Sequence, residues 1–162
     1  GYEWALYGTR IDACAKDTGQ LVEAMDHGRI LAALDRLGHF PRAWLLLAYG
    51  SLTREDRQPI ERMIAFRAFL AVYEGRDEIE IGDRLRRLAE LAVGDYVQRI
   101  HGQSAAPEAY MQQLGIGPEA WRKERMWHRV GQIFDLLAGW DRAGKAEVGR
   151  VLRGMRESVA SG

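Results

Sequence analysis

An all-α fold is expected from this sequence, with a helical N-terminal bundle followed by a C-terminal helix-turn-helix module. Apolar residues recur at three- and four-residue spacing along almost the whole chain, and no long alternating run bounded by turn residues interrupts them. Gly and Pro also fall where helices would end and begin. The one short alternation, Ile79-Glu80-Ile81, is too brief to specify a strand.

A first helix is expected over residues 2–16, with Trp4, Ala5, Ile11 and Ala15 inward, stopping before Gly19. A second over residues 21–37 carries Val22, Met25, Ile30, Ala33, Leu34 and Leu37 as its stripe and Gly38 as its stop, while Gly28 weakens its middle. Pro41 suits the first turn of a third helix, in which Trp44, Leu45, Leu47 and Ala48 are apolar on nearly all sides until Gly50. That segment belongs at the centre of the N-terminal core. Ser51 and Thr53 are capping residues. Pro59 then reads as the start of a helix through Ile60, Met63, Ile64, Phe66, Ala68, Phe69, Leu70 and Tyr73 that ends before Gly75. The acidic run 76–83 reads as a connection, and it sets the expected division: residues 1–80 a helical bundle, residues 81–162 a second module. A long helix over residues 83–100 opens that module, with Leu85, Leu88, Leu91, Ala92, Tyr96 and Ile100 on one face and His101-Gly102 closing it.

Composition narrows the function classes. A chain of 162 residues with 47% hydrophobic and 28% charged side chains can bury a core without disulfides or a structural metal. The lone Cys14 makes no internal disulfide, which fits a reducing, cytoplasmic setting. Residues 2–10 lack the basic segment and apolar core of a secretory leader. The apolar run at residues 44–49 is far short of the roughly 20 residues that cross a bilayer, so no membrane association is expected. Equal numbers of Lys+Arg and Asp+Glu, 23 each, exclude a uniformly basic coat for nucleic acid. The charge is nevertheless uneven: residues 1–80 hold 10 basic and 13 acidic side chains, residues 81–162 hold 13 and 10. A polyanion would therefore meet the C-terminal half.

The most specific pattern lies within residues 104–137. Residues 107–113 read as a short helix and Leu114-Gly115-Ile116-Gly117 as a tight turn. Pro118 then starts a long helix containing Trp121, Trp127, Val130, Phe134 and Leu137. This is the layout of a helix-turn-helix. Gly at the turn permits a left-handed backbone, and Tyr110, Leu114, Ile116 and Trp121 are placed to pin the two helices at a steep angle. The free N–H groups after Pro118 offer a place for a phosphate. Glu119, Arg122, Lys123 and Arg125 occupy the exposed faces of the second helix's first two turns, the part of a recognition helix that reaches base edges, and Arg129 extends the basic cluster. The same residues also suit a short loop between two packed helices that never meet DNA.

These residues resemble a known family. The scaffold helix from Leu85, the stretch Glu108-Ala109-Tyr110-Met111-Gln112-Gln113-Leu114-Gly115-Ile116-Gly117 and the helix from Pro118 look like the DNA-binding region four of bacterial sigma factors, over about a third of the chain. A helical N-terminal body joined to such a module is similar in layout to the Q-type late-gene antiterminators of lambdoid phages. The resemblance implies binding to double-stranded DNA near a promoter and contact with RNA polymerase that promotes read-through. Met111 replaces the small residue usual in the first helix, and Glu124 replaces the apolar residue usual one turn after Trp121. The zinc-binding cysteines of some Q-type proteins are missing, so the resemblance implies no zinc site.

Other chemistry is sparse. Glu23 with His27, Asp35 with His39, and Glu124 with His128 have helical i,i+4 spacing, which suits half of a metal site or, more simply, a surface pair. Cys14 has no local base, and Gly115-Ile116-Gly117 follows no strand, so neither nucleophilic catalysis nor a nucleotide cofactor is implied. No enzyme activity is expected. Trp121 and Trp127 are expected in the core, and Trp140 precedes a final amphipathic helix with Ala146, Val148, Val151, Leu152 and Met155 that closes the module. The expected function is sequence-specific DNA binding in transcription regulation. The alternative is a helical protein-interaction adaptor or phage-encoded inhibitor that does not bind DNA.

Overall fold

The computed structural model describes residues 38–75 and 79–161, and within them the chain is all-α. Six helices follow one another: α1 (His39–Tyr49), α2 (Arg54–Val72), α3 (Ile79–Ile100), α4 (Pro107–Leu114), α5 (Pro118–Lys123) and α6 (Met126–Ala160). The helices expected over residues 2–16 and 21–37 lie outside the described residues. No helix among those described is long and apolar enough to cross a membrane.

The described residues group into two compact units, one within Pro59–Ala138 and, separately, one of residues 38–58 with 139–161. The division expected at residue 80 falls inside the first of these. Its physical counterpart is the length of α6: the closing helix expected to start beyond Trp140 is the continuation of the helix that begins at Met126. No proline interrupts that stretch, and a glycine alone costs a helix interior only about 1 kcal/mol.

In the unit of residues 38–58 with 139–161, α1 is buried from Ala43 to Tyr49, as an all-apolar segment must be. Its anchor is Asp141 on α6. The Trp44 indole Nε1–H and the Tyr49 hydroxyl both donate to Asp141 Oδ1, at 3.1 and 2.6 Å, and Lys145 Nζ sits 2.9 Å from Oδ2 while lying over the Tyr49 ring. Each buried aromatic thus places its polar atom on one carboxylate, the arrangement that lets Trp and Tyr enter a core. Phe40 stacks on Trp140 with centroids 5.3 Å apart. Gly144 is where α6 meets Leu45: a Cβ there would stand 2.6 Å from Leu45 Cγ and Cδ1.

Two helix starts differ from expectation. Thr53 Oγ1 accepts from the Asp56 N–H at 3.2 Å and the Thr53 carbonyl accepts from Arg57, so α2 begins at Arg54, and Pro59, expected at its first turn, lies inside it. The cap therefore outweighs the single main-chain hydrogen bond that proline removes. Helix α3 begins at Ile79 and takes in Ile81, so the short alternation there is helical.

In the unit Pro59–Ala138, Ile60, Ile64, Ala68 and Val72 line up at four-residue spacing on the buried face of α2. Phe66, Leu70 and Tyr73, from the same apolar run, are 52%, 49% and 37% exposed. A helix with two apolar faces buries one, and spacing alone does not say which. On α3 the buried set is Leu85, Leu88, Ala89, Ala92, Val93 and Val97, with Leu91, Tyr96 and Ile100 half-buried at its margin. Helix α6 contributes Met126, Val130, Ile133 and Leu137.

The Gly144 contact makes a direct test. Gly144→Ala should destabilise by about 1–2 kcal/mol in urea unfolding, because overpacking against Leu45 exceeds the gain in helix propensity. In a Leu45→Ala background the same change should become neutral or stabilising. Stabilisation by Gly144→Ala in the parent chain would show that α6 does not approach Leu45 this closely.

Candidate nucleic-acid interface

The turn predicted between the short helix at residues 107–113 and the helix from Pro118 is present. Helix α4 starts with Pro107 at its first turn and ends at Gly115, whose φ of 66° is left-handed. Gly115 N–H donates to the Gln112 carbonyl and Ile116 N–H to the Met111 carbonyl, the paired closure that needs a residue without a Cβ at this position. Pro118 opens α5 after Gly117. Tyr110, Leu114 and Trp121 are buried as expected, and the rings of Tyr110 and Trp121 lie 5.9 Å apart.

The scaffold helix α3 holds this unit through Asp95, a carboxylate only 7% exposed. It accepts from the Tyr110 hydroxyl, from the Ala105 N–H at 2.9 Å and from Arg99 Nε at 3.3 Å. The loop after α3 and the start of α4 are thereby fixed to one buried charge that is fully hydrogen-bonded. Burial and the bond to Asp95 raise the Tyr110 pKa above the ordinary tyrosine value. Arg87 Nη2 donates to the Gln113 carbonyl at the end of α4.

The expected long helix from Pro118 to Leu137 is broken. Helix α5 is six residues long, and Arg125 adopts a φ of 53°, the left-handed region that residues with a Cβ rarely enter. Arg125 N–H donates to the Arg122 carbonyl, while the Arg125 carbonyl accepts from Arg129 N–H and so starts α6. A break leaves carbonyls without helical partners. Arg129 supplies them: its Nε donates to the Glu124 carbonyl at 3.0 Å and its Nη1 to the Val72 carbonyl at the end of α2, at 2.7 Å.

The sequence-predicted residues separate accordingly. Glu119, Arg122, Lys123 and Arg125 are exposed; Arg129 is half-buried, its guanidinium engaged with main chain. A pocket of ≈ 770 Å³ gathers Glu119, Lys123, Arg125 and Arg129, together with Arg84 and Glu124, but not Arg122. Arg84, absent from the expected set, pairs with Glu124 at 2.7 Å, both side chains largely covered. A carboxylate turned inward, as Glu124 is, needs a cation. Glu124 is therefore tied to Arg84 rather than to the expected His128, which is exposed. Among the described residues no group of three His, Cys, Asp or Glu side chains is placed to hold a metal ion. The phosphate place expected at the start of α5 is weakened, since the helix is short and Glu119 occupies its first turn.

Trp127 also departs from expectation: it is 43% exposed, not core. On an uninterrupted helix its six-residue offset from Trp121 would turn the two side chains roughly 120° apart. With the break at Arg125 the rings stand 6.1 Å apart, and Trp127 also meets Tyr110 edge-on at 5.9 Å.

The chain matches no protein-family model, no curated protein and no solved structure.

The bracing and the exposed basic residues have different expected costs. Arg129→Ala should destabilise by about 2–3 kcal/mol, because it strands two carbonyls that a charged donor satisfies. Arg122→Ala and Lys123→Ala should each stay within about ±0.5 kcal/mol. Equal melting of all three variants would remove the bracing role of Arg129.

Proposed function

We propose that this chain is a sequence-specific, duplex-DNA-binding transcription regulator. The observation that carries the reading is the unit formed by α4, the left-handed Gly115 turn and α5. Its apolar residues Tyr110, Leu114 and Trp121 face inward, while Glu119, Arg122 and Lys123 face solvent. Those three residue types suit base edges in a major groove: Arg and Lys donate to guanine, and a carboxylate accepts from cytosine. Arg125 is exposed at the corner after α5, and in this reading it serves a backbone phosphate. Arg129 acts through the chain it braces. Because α5 is short, direct base reading is confined to its two turns, and phosphate contacts supply most of the affinity.

Within that class, the resemblance to Q-type antiterminators and to sigma region four supports a factor that reads an asymmetric site through one module and gains affinity by touching RNA polymerase. The exposed stripe of Phe66, Leu70 and Tyr73 on α2 supports a protein contact of this kind. The same stripe favours the second reading, a helical adaptor or inhibitor that binds protein and not DNA.

A mobility-shift assay against the DNA flanking the gene separates the two. The regulator binds duplex, and its affinity falls by orders of magnitude between 50 and 200 mM salt if several phosphates are contacted. Reversing Arg122 and Lys123 to glutamate together should abolish that binding with little change in melting temperature. Transcription with purified polymerase should show increased read-through of a downstream terminator when the site is present. Absence of duplex binding at low salt would leave the adaptor reading; binding without read-through would leave a regulator that is not an antiterminator.

A further inference from the structure

We propose that the exposed face of α2 pairs with the same face of a second copy of this chain, the two helices running antiparallel. On that face Phe66, Leu70 and Tyr73 are 52%, 49% and 37% exposed, and Met63 is half-buried. The two rings are held from below: Phe69, only 7% exposed, lies 6.2 Å from Phe66 and 5.0 Å from Tyr73, and the Arg86 guanidinium of α3 lies over Phe69 at 5.4 Å. A partner that covers them orders little that was mobile. Phe, Tyr, Met and Arg are also the side chains that protein interfaces favour.

The order of residues along the face selects the occupant. Arg62 stands four residues before Phe66 and Glu74 four after Leu70, both exposed, and Tyr73 N–H still donates to the Phe69 carbonyl at 2.9 Å as the helix closes. At about 100° per residue, Arg62, Met63, Phe66, Leu70, Tyr73 and Glu74 fall within an arc of about 120°, with the two charges at its edges and the apolar side chains between them. This row is its own complement when reversed. A two-fold axis level with Ala68 sets Phe66 against Leu70 of the second copy, Tyr73 against its Met63 and Arg62 against its Glu74, and each contact is made twice, as in any isologous interface. A parallel pair would instead oppose arginine to arginine and glutamate to glutamate, which costs affinity. Pairing of this kind does not depend on DNA binding. Contact with polymerase through the same stripe would require the pair to separate, so the pair is the form of the chain away from polymerase.

Sedimentation equilibrium of the full-length chain at low salt, over about a hundred-fold range of concentration, tests the pairing. A reversible monomer–dimer equilibrium is expected, and a weak one, because a single helix face offers less than the roughly 800 Å² per partner of a standard interface. Leu70→Glu places a carboxylate against Phe66 at two points and should weaken the pair on the order of a hundred-fold, with little change in melting temperature because Leu70 is half exposed. Arg62→Glu should weaken it on the order of ten-fold by opposing like charges, and adding Glu74→Arg to that variant should restore the parent affinity to within about two-fold. A chain that stays monomeric throughout, or a dimer that Leu70→Glu leaves intact, would overturn the pairing. So would a charge-swapped double variant as weak as Arg62→Glu alone, since the helices would then not run antiparallel in this register. A monomer that binds purified RNA polymerase, and loses that binding in Leu70→Glu, would give the stripe to polymerase instead of a second copy.

Discussion

The guanidinium of Arg129 is the contact on which the candidate interface depends. Helix α5 stops after six residues and α6 starts at once, with Arg125 left-handed between them. Such a junction exposes main-chain carbonyls, and an unsatisfied buried carbonyl costs about 1–3 kcal/mol. Arg129 reaches back from the first turn of α6 to the Glu124 carbonyl and across to Val72, so one side chain closes the break and ties α6 to the end of α2. Arg84 adds a second brace by neutralising Glu124. The residues left exposed around the break are Glu119, Arg122, Lys123 and Arg125.

This division of labour leaves a short exposed helix, α5, on a stiff support. Asp95 gathers the donors of α3, the following loop and α4, while the aromatic set of Tyr110, Trp121 and Trp127 links α4, α5 and α6. In the other unit Asp141 does comparable work for α1, accepting from Trp44 and Tyr49 and pairing with Lys145. Asp141 receives the polar atoms of Trp44 and Tyr49, and Asp95 that of Tyr110, so in each unit one carboxylate pairs the donor of a buried aromatic.

Much of this was legible in the sequence. Pro107, Gly115 and Pro118 marked α4, the turn and the start of α5 because each needs a backbone that few other residues supply. The Gly50 end of α1 and the close of α3 at His101-Gly102 were read for the same reason. The break at Arg125 was not, since arginine is a good helix former and nothing nearby marks a left-handed residue. The exposure of Trp127 followed from that omission. Pro59 misled because the Thr53 cap that starts α2 lies six residues before it. Phe66, Leu70 and Tyr73 could not be assigned to a face while the partners of α2 were unknown. The partners of Asp141 lie 97 and 92 residues away, and no local pattern reports a contact of that range.

The central claim is that the chain turns left-handed at Arg125, separating α5 from α6. The most direct test is the unfolding free energy of Arg125→Gly, because the two backbones give opposite signs. A left-handed residue is relieved by losing its Cβ, so the variant should be as stable as the parent or more stable by about 1 kcal/mol. In an uninterrupted helix from Pro118 onward the same substitution would instead cost about 1 kcal/mol. A loss of that size would contradict the break, and with it the bracing role of Arg129 and the placement of Trp127.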